Sequence, residues 1–247
     1  MKHIKFLFFL LHSLLMMVGT LSGQDNLGIF DNHTDIGNCM KKGSATYNPD
    51  NQTYTIRGSG NNMWFDRDEF HYLWTKLQGD FILRAEVKLI GEGVDPHRKA
   101  GWIVKNNLDN NSQHVNATIH GDGLTSLQYR RTVSGETEEV LSSDSLPDII
   151  QLERRGNTYI MSTAAFGEEF KTIQLDSMQL DKEVYAGIYV CAHNPDVIET
   201  AIFRNVRICK PEDSDYQSYV DYFDSSGHSI QAPNYTKDGK KLIFIVK

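Results

Sequence analysis

The stretch Phe81-Ile82-Leu83-Arg84-Ala85-Glu86-Val87-Lys88-Leu89 alternates with a period of two. Phe81, Leu83, Ala85, Val87 and Leu89 share one side, and Arg84, Glu86 and Lys88 the other. An extended chain sends successive side chains to opposite faces, so this pattern predicts a half-buried strand. The same reading places Val115, Ala117 and Ile119 against Asn116, Thr118 and His120. It also places Val184, Ala186, Ile188 and Val190 against Tyr185, Gly187, Tyr189 and Cys191. Further strands are expected at Thr53–Arg57, Ala100–Lys105, Ser126–Val133, Ile149–Arg154, Thr158–Ala164, Phe170–Leu175 and Thr200–Ile208. Asn48-Pro49-Asp50-Asn51, Gly91-Glu92-Gly93, Gly121-Asp122-Gly123 and Gly156-Asn157 punctuate them as turns. No amphipathic helix stands out. Many short strands with regular turns predict an all-β, two-sheet sandwich.

The amino terminus reads as a processing signal over residues 1–23. Lys2, His3 and Lys5 are basic, Phe6 to Val18 is mostly apolar, and Gly19, Thr20, Ser22 and Gly23 are small. That order is the signature of a secretory signal peptide, with cleavage expected before Gln24. The alternative is an uncleaved anchor, although the apolar run is shorter than the roughly 20 residues that a bilayer requires. An exported protein, periplasmic or at the cell surface, is therefore expected. The formal net charge of −7 argues against a nucleic-acid partner, which calls for a basic face.

Three cysteines, Cys39, Cys191 and Cys209, leave at least one thiol unpaired within the chain. A Cys39–Cys209 bridge would need the first and last strands to be neighbours. The alternative is three small buried residues.

A boundary is expected at Lys210-Pro211, which leaves a body over 24–210 and a segment over 211–247. Within that segment, Ala232-Pro233-Asn234-Tyr235-Thr236-Lys237-Asp238-Gly239-Lys240-Lys241 leads into the apolar Leu242 to Val246. It resembles the repeat of TolB-like β-propellers, with Tyr235 at the aromatic position and Lys237 where a proline is frequent. Because a propeller closes with about four to eight blades, the resemblance implies a truncated second domain. The alternative is one carboxy-terminal hairpin packed on the sandwich.

Several blocks occur in order along the body: Gly58-Ser59-Gly60-Asn61-Asn62-Met63-Trp64, Asp68-Glu69-Phe70-His71-Tyr72-Leu73-Trp74, Gly79-Asp80-Phe81, His97-Arg98-Lys99-Ala100-Gly101-Trp102 and His120-Gly121-Asp122-Gly123-Leu124. Glu153-Arg154-Arg155-Gly156-Asn157 and Gly187 to His193 continue them. Together they resemble a concanavalin A-like lectin/glucanase domain family of uncharacterised function, akin to "regulation of enolase" proteins, over about residues 29–209. The resemblance implies a jelly-roll sandwich. It does not settle activity, because one fold hosts many functions.

The binding surface is expected on one sheet. Aromatic faces stack on sugar C–H groups, and planar polar groups bond the hydroxyls. Trp102, Lys105, Asn116, His120, Tyr129, Arg130, Tyr189 and His193 are the candidate ligand-binding residues, with Trp74, Gln128 and Arg131 of similar type. Trp64 and Trp74 are read as core or loop anchors. Arg98 and Lys99, beside His97, are read as a solvated charge pair on an edge strand. An anion site, as for a uronic acid, is the alternative for them.

His114 and His120 share a strand side but lie roughly 20 Å apart at the usual rise, too far to share a metal. No cofactor is expected, although the oxygen-rich loop Asn106-Asn107-Leu108-Asp109-Asn110-Asn111 is of a kind that suits Ca2+. The Glu-x-Asp-x-x-Glu spacing of glucanases with this fold does not occur, and Asp66-Arg67-Asp68-Glu69 has the wrong order. No catalytic residue is therefore assigned. The expected function is a non-catalytic module for a glycan or an envelope partner. A glycoside hydrolase with an unfamiliar site and a structural domain of an envelope complex are the alternatives.

Overall fold

The computed structural model describes residues 26–211 and, beyond them, only the backbone of Asn234–Tyr235 and Lys241–Leu242. The expected signal segment, the cleavage point before Gln24 and most of the expected propeller segment lie outside the described residues. Asn234–Tyr235 pairs antiparallel with Lys241–Leu242.

No helix occurs among the described residues. The strands are β1 (Asn32–Ile36), β2 (Ser44–Asn48), β3 (Thr53–Gly58), β4 (Phe70–Gln78), β5 (Phe81–Leu89), β6 (Lys99–Lys105) and β7 (His114–His120). They continue as β8 (Thr125–Arg130), β9 (Glu138–Leu141), β10 (Ile149–Arg155), β11 (Thr158–Ala164), β12 (Lys171–Leu175), β13 (Glu183–Cys191) and β14 (Glu199–Cys209). They form two seven-stranded antiparallel sheets. The front sheet runs β1-β4-β13-β6-β7-β8-β9, and the back sheet β12-β11-β10-β5-β14-β3-β2. This is a two-sheet jelly-roll sandwich.

The alternating residues do what their period requires. Leu83, Ala85 and Val87 of β5 meet Ala100, Trp102 and Val104 of β6, Val115, Ala117 and Ile119 of β7, and Val184, Ala186, Ile188 and Val190 of β13 in one core. Burial of such apolar side chains is the main force closing the two layers. Gly156, with φ of 56°, makes the tight reversal between β10 and β11, where Arg155 faces Thr158. A left-handed residue is cheap only for glycine.

Two readings of the sequence do not hold. No disulfide joins the three cysteines. The segment of Cys39 follows β1, which edges the front sheet beside β4, while Cys209 ends β14 in the interior of the back sheet. The first and last strands are therefore not neighbours, as the bridge required. Burial pushes the Cys39 thiol up to about 12 and the Cys191 thiol to about 11. The second correction concerns Lys99. Its strand, β6, lies between β13 and β7 in the front sheet and is not an edge strand.

A second apolar cluster lies on the outer side of the front sheet. Ile36, Phe70, Tyr72, Ile103, Tyr189 and Cys191 are buried there together with Met63. Met63 comes from the connection between β3 and β4, residues 59–69, so that connection crosses the outer face of the sheet. It positions the site.

Candidate functional site

Cross-strand register sets the outer face of the front sheet in rows. One row is Tyr185-Lys105-His114-Arg130, and the next is Gly187-Ile103-Asn116-Gln128-Glu139. Then come Tyr189-Gly101-Thr118-Ser126 and, at the far end, Cys191-Lys99-His120. The face is thus mostly polar, yet Lys105, His114, Asn116, Thr118, Ser126, Gln128 and Arg130 are all buried.

The 59–69 connection covers the first row. Asp68 enters it fully buried, ion-paired with Lys105 and 2.8 Å from Arg130 Nη2, with His114 Nδ1 at 3.6 Å. Burial alone would raise the Asp68 carboxyl, but the charges of Lys105, His114 and Arg130 outweigh it and hold it well below the usual carboxylate range. His114 is pushed down to about 4, mainly by burial. Backbone bonds fasten the rest of the connection. Asp68 N–H donates to Asn110 O (2.7 Å), Glu69 N–H to Asn62 O (2.8 Å) and Thr137 N–H to Trp64 O (3.1 Å). Arg130 Nη2 also donates to Phe65 O at 2.6 Å.

Beyond the connection the face opens into a cleft of about 240 Å³, lined by Asn62, Trp64, His97, Lys99, His120, Leu124, Gln128, Glu139 and His193. Trp64 is half-buried, a flat apolar wall beside polar groups. His120 Nδ1 lies 2.9 Å from Leu124 O, so that nitrogen carries the proton and Nε2 is the acceptor. Burial, with the Lys99 charge behind it, pushes His120 down to about 4 and keeps it neutral. The His97 ring lies 6.0 Å from His120 and 5.5 Å from His193, centre to centre. His193 holds a φ of 54°, uncommon for a residue with a Cβ, and its Nδ1 lies 3.2 Å from Asp95 Oδ1.

Several polar atoms of the face have no hydrogen-bond partner among the described residues. They include Asn116 Nδ2 and Oδ1, Gln128 Oε1 and Ser126 Oγ. Gln128 Nε2 donates to Glu139 Oε2 at 3.4 Å. Buried polar groups are usually paired, so such a cluster asks for water or a ligand.

The residues expected from the sequence divide into three groups. His120 and His193 line the cleft. Lys105, Asn116, Arg130 and Tyr189 share its face but lie buried, with Lys105 and Arg130 held by Asp68 and Tyr189 packed with Met63. Trp102 and Tyr129 point the other way, into the core. Two-residue periodicity puts Trp102 out of phase with Lys99 and Lys105, and its ring packs 6.3 Å from Phe30. Tyr129 is out of phase with Gln128 and Arg130, and its hydroxyl donates to Glu138 Oε2 at 3.2 Å. Trp74 lies at the margin of the outer cluster, 4.9 Å edge-to-face from Tyr185. Trp64, expected as an anchor, lines the cleft instead, and Asn62 and His97 join it from connections and Glu139 from β9.

Among the described residues no three His, Cys, Asp or Glu side chains converge as metal ligands. In the 106–111 loop, Asn107 Oδ1 accepts from Asp109 N–H at 2.9 Å, and Asn106 Oδ1 from Asp181 N–H at 2.8 Å. The first shapes the loop's own turn, and the second ties the loop to the segment before β13.

No family model matches the chain, and no curated protein matches it by sequence. Solved structures resemble it in fold. A functionally unknown protein from Saccharomyces cerevisiae has a TM-score of 0.53 at 13% identity, covering 68% of this chain and 92% of its own. A carbohydrate binding module, CBM66, from Bacillus subtilis has a TM-score of 0.46 at 13% identity, covering 73% and 97%. An alginate lyase from Klebsiella pneumoniae has a TM-score of 0.43 at 9% identity, covering 68% and 84%. At these identities the likeness is one of fold.

Proposed function

We propose that this sandwich is a glycan-binding module and that the cleft at the Lys99–His120 end of the front sheet is its binding site. The observation that carries the reading is a cleft walled by Trp64 and lined by the polar side chains of Asn62, His120, Gln128 and Glu139, with Gln128 Oε1 unpartnered among the described residues. Sugar hydroxyls both donate and accept, which is what such a mixed set of amide, imidazole and carboxylate groups requires. A flat indole supplies the apolar surface for the sugar's C–H face. The strands beneath are rigid and central, so the site is preorganised.

Binding is favoured over hydrolysis by the lining itself. Glu139 is its one carboxylate, whereas two-carboxylate glycosidases work with a pair about 5–9.5 Å apart. Export to the periplasm or cell surface, as the amino-terminal pattern suggests, belongs to the same proposal and would place the module where polysaccharides are met.

The test is calorimetric titration of the full chain with a panel of neutral and acidic oligosaccharides. Saturable binding that weakens about tenfold in Trp64→Ala supports the reading. Silence across the panel overturns it, and turnover of a bound oligosaccharide would replace binding with catalysis.

A further inference from the structure

Lys99 is unlike the other buried cations around it. Lys105 and Arg130 share the Asp68 carboxylate, and neighbouring Arg98 is ion-paired with Glu199 at 2.6 Å. Lys99 is only 3% exposed, in the middle of a seven-stranded sheet, yet no carboxylate of the described residues lies within ion-pair distance of it. Its Nζ donates to Asn62 Oδ1 at 3.2 Å. Its register neighbours are Cys191, a thiol kept neutral by burial, and His120, a neutral imidazole. Glu139 stands across the cleft, turned to Gln128.

An ammonium group taken out of water without a counter-charge is costly. Burial accordingly lowers the Lys99 pKa. A sugar hydroxyl can accept one of its protons but cannot offset its charge. An anionic oxygen does both, through a charge-assisted hydrogen bond. Lys99 faces the cleft, and Gln128, whose Oε1 has no partner among the described residues, lines it two rows away on the same face. An oligosaccharide spanning those rows would bring an acidic substituent onto the ammonium while its hydroxyls reach the Gln128 amide.

We infer that the cleft selects acidic glycans, with Lys99 as the residue that receives the carboxylate of a uronic acid unit. This rests on the glycan-binding reading above and narrows it to a substrate class. Trp64 supplies affinity for any sugar, and Lys99 supplies the preference for charge.

The experiment is calorimetric titration of the full chain with three length-matched probes: an oligogalacturonate, a neutral oligosaccharide and a sulfated one. The uronate is expected to bind about tenfold or more tighter than the neutral probe, the worth of one hydrogen bond to a charged group. Lys99→Met, close in shape, should erase that preference, and Lys99→Arg should keep it. Equal binding of neutral and uronate probes, or a preference that survives Lys99→Met, overturns the inference and leaves the glycan reading standing. A stronger response to the sulfated probe overturns the carboxylate assignment. Silence from all three removes both readings. Unchanged thermal unfolding of Lys99→Met ensures that a loss is read at the site.

Discussion

The Asp68 carboxylate lies 2.8 Å from Arg130 Nη2, and neither side chain reaches solvent. Arg130 belongs to β8 and Asp68 to the connection that crosses the sheet, so this pair, with Lys105, ties the connection down over the face it covers. Removing the anion strands two buried cations. Asp68→Ala is expected to destabilise the fold by about 3–5 kcal/mol, the cost of breaking a buried pair. Urea unfolding would read it. A loss below about 1 kcal/mol, the scale of surface pairs, would mean that the cluster is solvated.

The strands are legible because each carries one apolar side in strict alternation with residues of another kind. Thr158–Ala164 occurs as expected, and the others start or stop within about one to three residues. β4 escaped the same reading because Phe70-His71-Tyr72-Leu73-Trp74 does not alternate. Leu73 enters the main core while Phe70 and Tyr72 enter the outer cluster, so both faces are dry and the period vanishes. The same burial explains the site. Phase correctly puts Asn116 and His120 on one face, but it could also have excluded Trp102, which alternates against Lys99 and Lys105. Nothing in the spacing shows that the 59–69 connection folds back over the sheet. That depends on Met63 and Asp68 finding partners from strands distant in sequence.

Gly101 occupies the middle of that face, between Tyr189 on β13 and Thr118 on β7. A Cβ at Gly101 would stand 2.0 Å from the backbone oxygen of Ala117. Backbone cannot yield as a side chain can, so Gly101→Ala must push β6 and β7 apart. A loss of about 1–3 kcal/mol, the range for overpacking a core, is expected in the unfolding midpoint. Glycan affinity should weaken with it, since Lys99 and His120 are a register pair on the same two strands. A variant as stable as the parent would contradict this backbone fit.

Acid should weaken the fold. His114 and His120 titrate near 4 in the folded protein, both chiefly through burial, against about 6.5 for a free histidine. Between those values the unfolded chain binds protons that the folded chain refuses, so stability falls as pH drops from about 6.5 to 4 and is level above that window. The Asp68 carboxyl, held low in the fold, acts in the same direction below the ordinary carboxylate range. Chemical unfolding at pH 7.5, 6.0 and 4.5 should show a loss of a few kcal/mol across the lower interval. His120→Asn should make that loss shallower. A stability independent of pH down to 4.5 would show that these rings are hydrated.

Trp64 separates the site from the scaffold. Its backbone oxygen accepts the Thr137 N–H, a bond that survives truncation of the side chain. Met63 and Asp68, on either side, hold the connection by packing and charge. Trp64→Ala should therefore leave the connection in place and remove only a half-exposed indole from the cleft wall. Sugar affinity should fall about tenfold, while the unfolding midpoint moves little. Acidic and neutral probes should lose affinity by the same factor, because stacking does not sense charge. If Trp64→Ala instead unfolds the protein, the indole is a structural anchor and the wall assigned to sugar must be sought elsewhere on the cleft.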